Sequence, residues 1–186
     1  MKVPPIRAGI FTLLLLAAPA MARDRAARID DLKTGVLGAA SATQFLTGRC
    51  AALHLAAPAQ VRAENSAAAQ DAVPAPVRAL LKVTADEPVR HRHVRLTCGG
   101  HLLSEADNWY VPARLTAAMN RTLETSDTPF GAVVRPLHFR RETIAATPRQ
   151  GPTVLQVKAV LLTPHGAPIS LVVENYSAIL IGAAAR

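Results

Sequence analysis

The sequence predicts a single α+β domain, an antiparallel β-sheet with its helices grouped apart from the strands. Three observations carry this expectation. The chain has 186 residues, enough for one core and short for two. Beyond residue 89, apolar strands follow one another across Gly- and Pro-marked turns, the pattern of hairpins and not of parallel crossovers. Helical periodicity is confined to the first fifty residues and to one stretch after Pro112.

The N-terminus reads as an address. Lys2 and Arg7 form a positive segment, a short apolar run follows, and Ala20 and Ala22 make a small-x-small site. This is the anatomy of a secretory signal over residues 1–22, and the run is too short to span a bilayer. The mature domain would be 23–186, periplasmic or secreted, with no stable membrane insertion after cleavage. The other reading is a soluble chain with a greasy first helix. Cleavage would remove two basic and no acidic residues, leaving a formal charge of about +6 from +8. The basic residues are scattered singly and aromatics make up 4%, unlike a stacking platform or a basic recognition helix. The expected partner is an anionic small molecule and not nucleic acid.

Residues 23–37 place Ile29, Leu32 and Val36 on one helical face, and Gly35 and Gly38 loosen the end. Ser41-Ala42-Thr43-Gln44 reads as a capping box opening a second helix, with free N–H groups at Ala42 to Gln44. A short strand is expected within 53–61 and a Pro-bounded surface connection over 63–78. The strand from Val89 puts His91, His93 and Arg95 on one face, and Arg92, Val94 and Leu96 on the other. Cys98-Gly99-Gly100-His101 turns it into a second strand ending at Val111. Pro112 suits the first turn of a helix over 112–124, with Leu115, Met119, Thr122 and Leu123 inward. A Thr128-Pro129-Phe130-Gly131 corner follows, and then strands at about 138–146, 153–163 and 168–181.

Cys50 and Cys98 lie in no C-x-x-C or Cys/His pattern, so no metal site is expected. They form either one disulfide, worth roughly 3–4 kcal/mol for a loop of that size, or two buried thiols. His91-x-His93 has chelating spacing but no evident third ligand, so a solvated face is expected. Arg92, beside Val94 and Leu96, is a cation where apolar residues belong. Glu174 is an acid in the apolar run I-S-L-V-V-E-N-Y, sharing a face with Val172 and Ser170, and that face is either the inner one or the solvent one.

These residues together resemble the chorismate pyruvate-lyase family, whose fold is shared with effector-binding domains of some transcriptional regulators. The likeness covers about residues 40–181 and implies that the helices pack around a small buried ligand pocket. Ser41-Ala42-Thr43 is similar to the segment whose middle N–H (here Ala42) receives the product carboxylate. Arg92 looks like the arginine pairing with that carboxylate. Thr128-Pro129-Phe130-Gly131 resembles the T-P-L-G corner, where Phe130 would supply a second N–H beside Gly131. Glu174 looks like the glutamate that meets the ring hydroxyl. The resemblance implies release of pyruvate from chorismate, or from a related enolpyruvyl compound, to give a hydroxybenzoate without any cofactor. Arg92 would clamp the carboxylate, and Glu174, its pKa raised by apolar neighbours, would act at the far end of a chamber sized for a benzoate. The alternative is an exported, non-catalytic binder of aromatic carboxylates.

The sequence departs from the family pattern in two places. One extra residue between the Gly166 turn and Glu174 requires a β-bulge to keep the acid inward. Asn108 stands near a position where the lyases carry arginine. Arg95 points to the other face from Arg92. Arg141 resembles an arginine lining the lyase pocket, or else it forms a salt bridge with a nearby acid.

Overall fold

The computed structural model describes residues 17–66 and 72–182. Residues 1–16, which hold most of the expected signal, lie outside the described residues. The first helix, α1 (Ala17–Gly38), runs through the expected cleavage site. It buries Ile29, Leu32 and Val36, the face its periodicity marks. After a short break comes α2 (Ala42–Ala52), where Ser41 Oγ accepts from the Gln44 N–H.

The expected strand at 53–61 is absent. That segment turns, with His54 in the left-handed region. The strand lies just beyond it, as β1 (Arg62–Ser66), and the expected connection also contains α3 (Ala75–Leu81). Ala63 is the only apolar residue of β1. An edge strand held by pairing leaves no alternation to read.

β2 (Arg90–Cys98) and β3 (His101–Tyr110) form the expected hairpin. Gly99 and Gly100, both at positive φ, make its turn. The helix expected at 112–124 is divided. Pro112–Arg114 is one 3₁₀ turn, Leu115 is extended, and Thr116 caps α4 (Ala117–Thr125) by accepting from the Met119 N–H. Thr116 gives the backbone a better start than Pro112 because its hydroxyl satisfies a free donor. The corner then leads into the short α5 (Phe130–Val134).

Strands β4 (Arg140–Pro148), β5 (Thr153–Leu162) and β6 (Pro168–Ser177) complete one antiparallel sheet of order β1-β2-β3-β6-β5-β4. The last strand ends at Ser177, not 181, because Ser177 caps a 3₁₀ turn over Ala178–Ile181. The fold class is therefore the one expected, an α+β domain on an antiparallel sheet.

Helices α1 and α2 cover the inner face over Val94, Leu96, Val157 and Tyr176, while α4 and α5 cover it over Tyr110 and Leu161. On the outer face α3 packs beside Val160 and Leu171. Cys50 and Cys98 form a disulfide joining α2 to the end of β2. The histidines of β2 do not form a simple solvated face. His91 Nε2 and His93 Nδ1 each bond Asp107 Oδ1 at 2.8 Å, and His91 stacks on Trp109.

Candidate functional site

Between the two inner clusters, the sheet, the start of α2 and the corner leave a cavity of about 40 Å³. Its wall includes Ser41, Ala42 and Thr43 on one side, Phe130 and Gly131 on another, and Asn108, Arg141 and Glu174 on the sheet. That volume holds a few waters and is far below the roughly 300 Å³ of ordinary small-molecule sites. The chamber is thus smaller than the benzoate-sized one expected. Phe130 packs its ring on Tyr110 at 5.6 Å, and the Arg141 side chain lies in the wall.

Glu174 reaches this cavity because of a bulge. Leu161 pairs with Ser170 and Leu162 with Pro168, so Ile169 is the extra residue. Beyond it Ser170, Val172, Glu174 and Tyr176 all face inward and are all buried. Without that bulge the same alternation would turn the acid to the outer face.

Arg141, left open in the sequence, is the cation that meets Glu174. It reaches from β4 across β5, its Nη2 donating to Glu174 Oε2 and its Nη1 to Oε1 at 3.5 Å. Tyr176 Oη donates to the same Oε2 at 2.9 Å. Both charged side chains are less than one-tenth exposed. Burial works to lower the Arg141 pKa, but the adjoining carboxylate and its hydrogen bonds outweigh that and leave it raised. Burial, reinforced by Glu174, pushes the Tyr176 hydroxyl well above its usual value. Arg141 Nε is buried with no hydrogen-bond partner among the described residues.

Arg92 is also buried, on the inner face, but it does not line the cavity. Its Nε donates to Asn65 Oδ1 at 2.8 Å, its Nη1 to the Thr128 carbonyl at 3.1 Å and its Nη2 to the Ser126 carbonyl at 3.1 Å. It ties the edge strand β1 to the segment leading into Pro129. Burial lowers its pKa, with Tyr110 and Asp127 acting the other way. The expectation that Arg92 and Glu174 face each other across the chamber is therefore corrected: Arg92 is not in the cavity wall, and the cation that meets Glu174 is Arg141, in direct contact with it.

The remaining sites of the sequence reading fall together. Ala42 and Thr43 carry N–H groups that α2 leaves without partners, because Gln44 and Phe45 take the Ser41 side-chain and backbone oxygens. Phe130 and Gly131 lie opposite; a Cβ on Gly131 would stand 3.4 Å from Ser41 Oγ. Asn108 is 4% exposed and its amide makes no hydrogen bond to any described residue. Tyr176 was missed in the sequence, although its place two residues after Glu174 on the same face was a signal for it.

No protein-family model matches the chain. The protein y4mC of Sinorhizobium fredii (strain NBRC 101917 / NGR234) is 39% identical, with 80% of this chain and 73% of that protein covered. Among solved structures, PhnF from Mycobacterium smegmatis is similar over 76% of this chain at a TM-score of 0.56 and 14% identity, and the match spans 65% of PhnF. The effector domain of PhnF, solved on its own, matches at a TM-score of 0.51 and 12% identity, covering 64% of this chain and 82% of that one. At such identities the likeness is one of fold.

Proposed function

Since the chain belongs to one family with y4mC of Sinorhizobium fredii and has the fold of an effector domain, we propose that it binds a small aromatic carboxylate in the cavity beneath α2 and the corner, without transforming it. One observation carries this reading: Arg141 Nε is a buried donor lacking an acceptor among the described residues, in a residue that lines a cavity also edged by Ala42 and Thr43, whose N–H groups α2 leaves free. A buried unpaired donor costs about 1–3 kcal/mol, and a ligand oxygen would remove that cost. A helix N-terminus favours negative charge at the same place.

The lyase reading, with Glu174 as catalytic group and Arg92 as clamp, is the less supported of the two. Glu174 is already held by Arg141 and Tyr176, and all three guanidinium nitrogens of Arg92 are engaged elsewhere. Entry of a ring requires the cavity to widen, since its present volume admits only a few waters. Export of the domain across a membrane, with the residues up to Ala22 removed, is part of this proposal, and a small carboxylate rather than nucleic acid is its partner.

Calorimetric titration of the chain with 4-hydroxybenzoate, beside an assay of pyruvate release from chorismate, tests the choice. We expect binding with no pyruvate. Pyruvate formed in proportion to protein would restore the lyase, and absence of any binding would remove the binder.

A further inference from the structure

We propose that Asn108 selects the ligand, and that the pocket takes a singly charged carboxylate bearing a neutral group able to donate or accept a hydrogen bond. This rests on the binding reading above and narrows it to a ligand class.

The first support is a count of charge. Arg141 and Glu174 are the ionisable residues in the cavity wall, of opposite sign and paired with each other. Arg92 lies behind the wall with its donors engaged by Asn65, Ser126 and Thr128. The positive charge left over is the partial charge at the start of α2, about half a unit. One carboxylate is matched by that end and the spare Arg141 donor. A second would be desolvated with no cation to meet it, which is strongly unfavourable. A dicarboxylate such as chorismate is therefore disfavoured.

The second support is the amide itself. Asn108 sits on the inner face of β3, between Arg92 on β2 and Val172 on β6. It is 4% exposed and lines the cavity, and its side-chain amide makes no hydrogen bond to a described residue. Its oxygen accepts and its nitrogen donates twice. The same wall carries Ser41, Thr43, Arg141 and Glu174 beside apolar Val172 and Phe130, but Arg141 and Glu174 are bonded to each other, which leaves the amide to pair with what enters the cavity. A hydroxyl or a carboxamide supplies the complement, and a bare hydrocarbon edge leaves the amide unpaired.

The test compares three probes by calorimetry on the full chain: 4-hydroxybenzoate, benzoate and benzene-1,4-dicarboxylate. The wild type should prefer 4-hydroxybenzoate over benzoate by about tenfold, one well-made hydrogen bond's worth, and should reject the dicarboxylate. Asn108→Leu, close in size, should bring the two monocarboxylates to equal affinity. Asn108→Thr, which puts a hydroxyl in place of the amide, should restore part of the preference and serves if the leucine variant does not fold. An unchanged ratio in a folded variant, or tight binding of the dicarboxylate, would overturn the inference while the binding reading stands. If none of the three probes binds the wild type, both fall together.

Discussion

Arg141 on β4 and Glu174 on β6 meet over the intervening strand β5, and Tyr176 closes the group from the same side of the sheet. A buried ion pair adds little against a hydrophobic replacement, but removing one member strands the other. Glu174→Gln should therefore lower the unfolding free energy by about 3 kcal/mol. Adding Arg141→Met should recover much of that loss, giving a strongly non-additive cycle in urea denaturation. Additive losses would mean the two groups are not coupled.

Alkaline pH should unfold the protein through its tyrosines. The chain has two, and burial raises the pKa of both, with Glu174 adding to the effect at Tyr176. At Tyr110, Arg90 and Arg92 pull downward while Glu124 pushes upward. An acid whose folded pKa is raised keeps its proton in the native state after the unfolded chain has released it. Stability is thus complete below about pH 10 and falls above it, by about 1.4 kcal/mol per pH unit for each such group. Tyrosinate absorbance should rise together with loss of the folded signal. Ionisation of both rings near pH 10 in a still-folded protein would contradict this.

The Cys50–Cys98 disulfide closes a loop of 48 residues in separation. Cross-linking a loop of that length restrains the unfolded chain by about 4 kcal/mol. Replacing both cysteines by alanine should lower the denaturation midpoint accordingly, with little change in the folded circular dichroism spectrum. A midpoint within error of the wild type would show that the bond adds nothing.

Arg92 binds three acceptors with three different nitrogens, a geometry an ammonium cannot reproduce. Arg92→Lys should cost about 2 kcal/mol of stability without any ligand present. Any loss of affinity should follow from displacement of the segment before Pro129. A variant of wild-type stability that fails only in binding would return Arg92 to the role of ligand clamp.

Much of the fold was legible because its signals are local. Ile29, Leu32 and Val36 announce α1, Ser41 announces the start of α2, and Gly99-Gly100 mark the β2–β3 turn. The extra residue after Gly166 announced the bulge at Ile169. Where local signals conflict or vanish, the reading slipped. Pro112 and Thr116 both mark a helix start, and the cap hydroxyl prevailed. β1, with Ala63 its only apolar residue, exists through its partner β2 and shows no pattern of its own.

What the sequence by itself determined was the first two helices, the five strands after residue 89 and most of the candidates for the site: Ala42, Phe130, Gly131 and Glu174 all line one cavity. The tertiary structure alone decided which arginine belongs with the acid. Arg92 and Arg141 look alike in the chain, each an arginine near the start of a strand. Strand order sets their partners: β4 lies one strand from β6, close enough for Arg141 to reach over, while β2 borders β1 and places the Arg92 head beside Asn65. Such neighbours are set by pairings between distant segments, which no run of consecutive residues records.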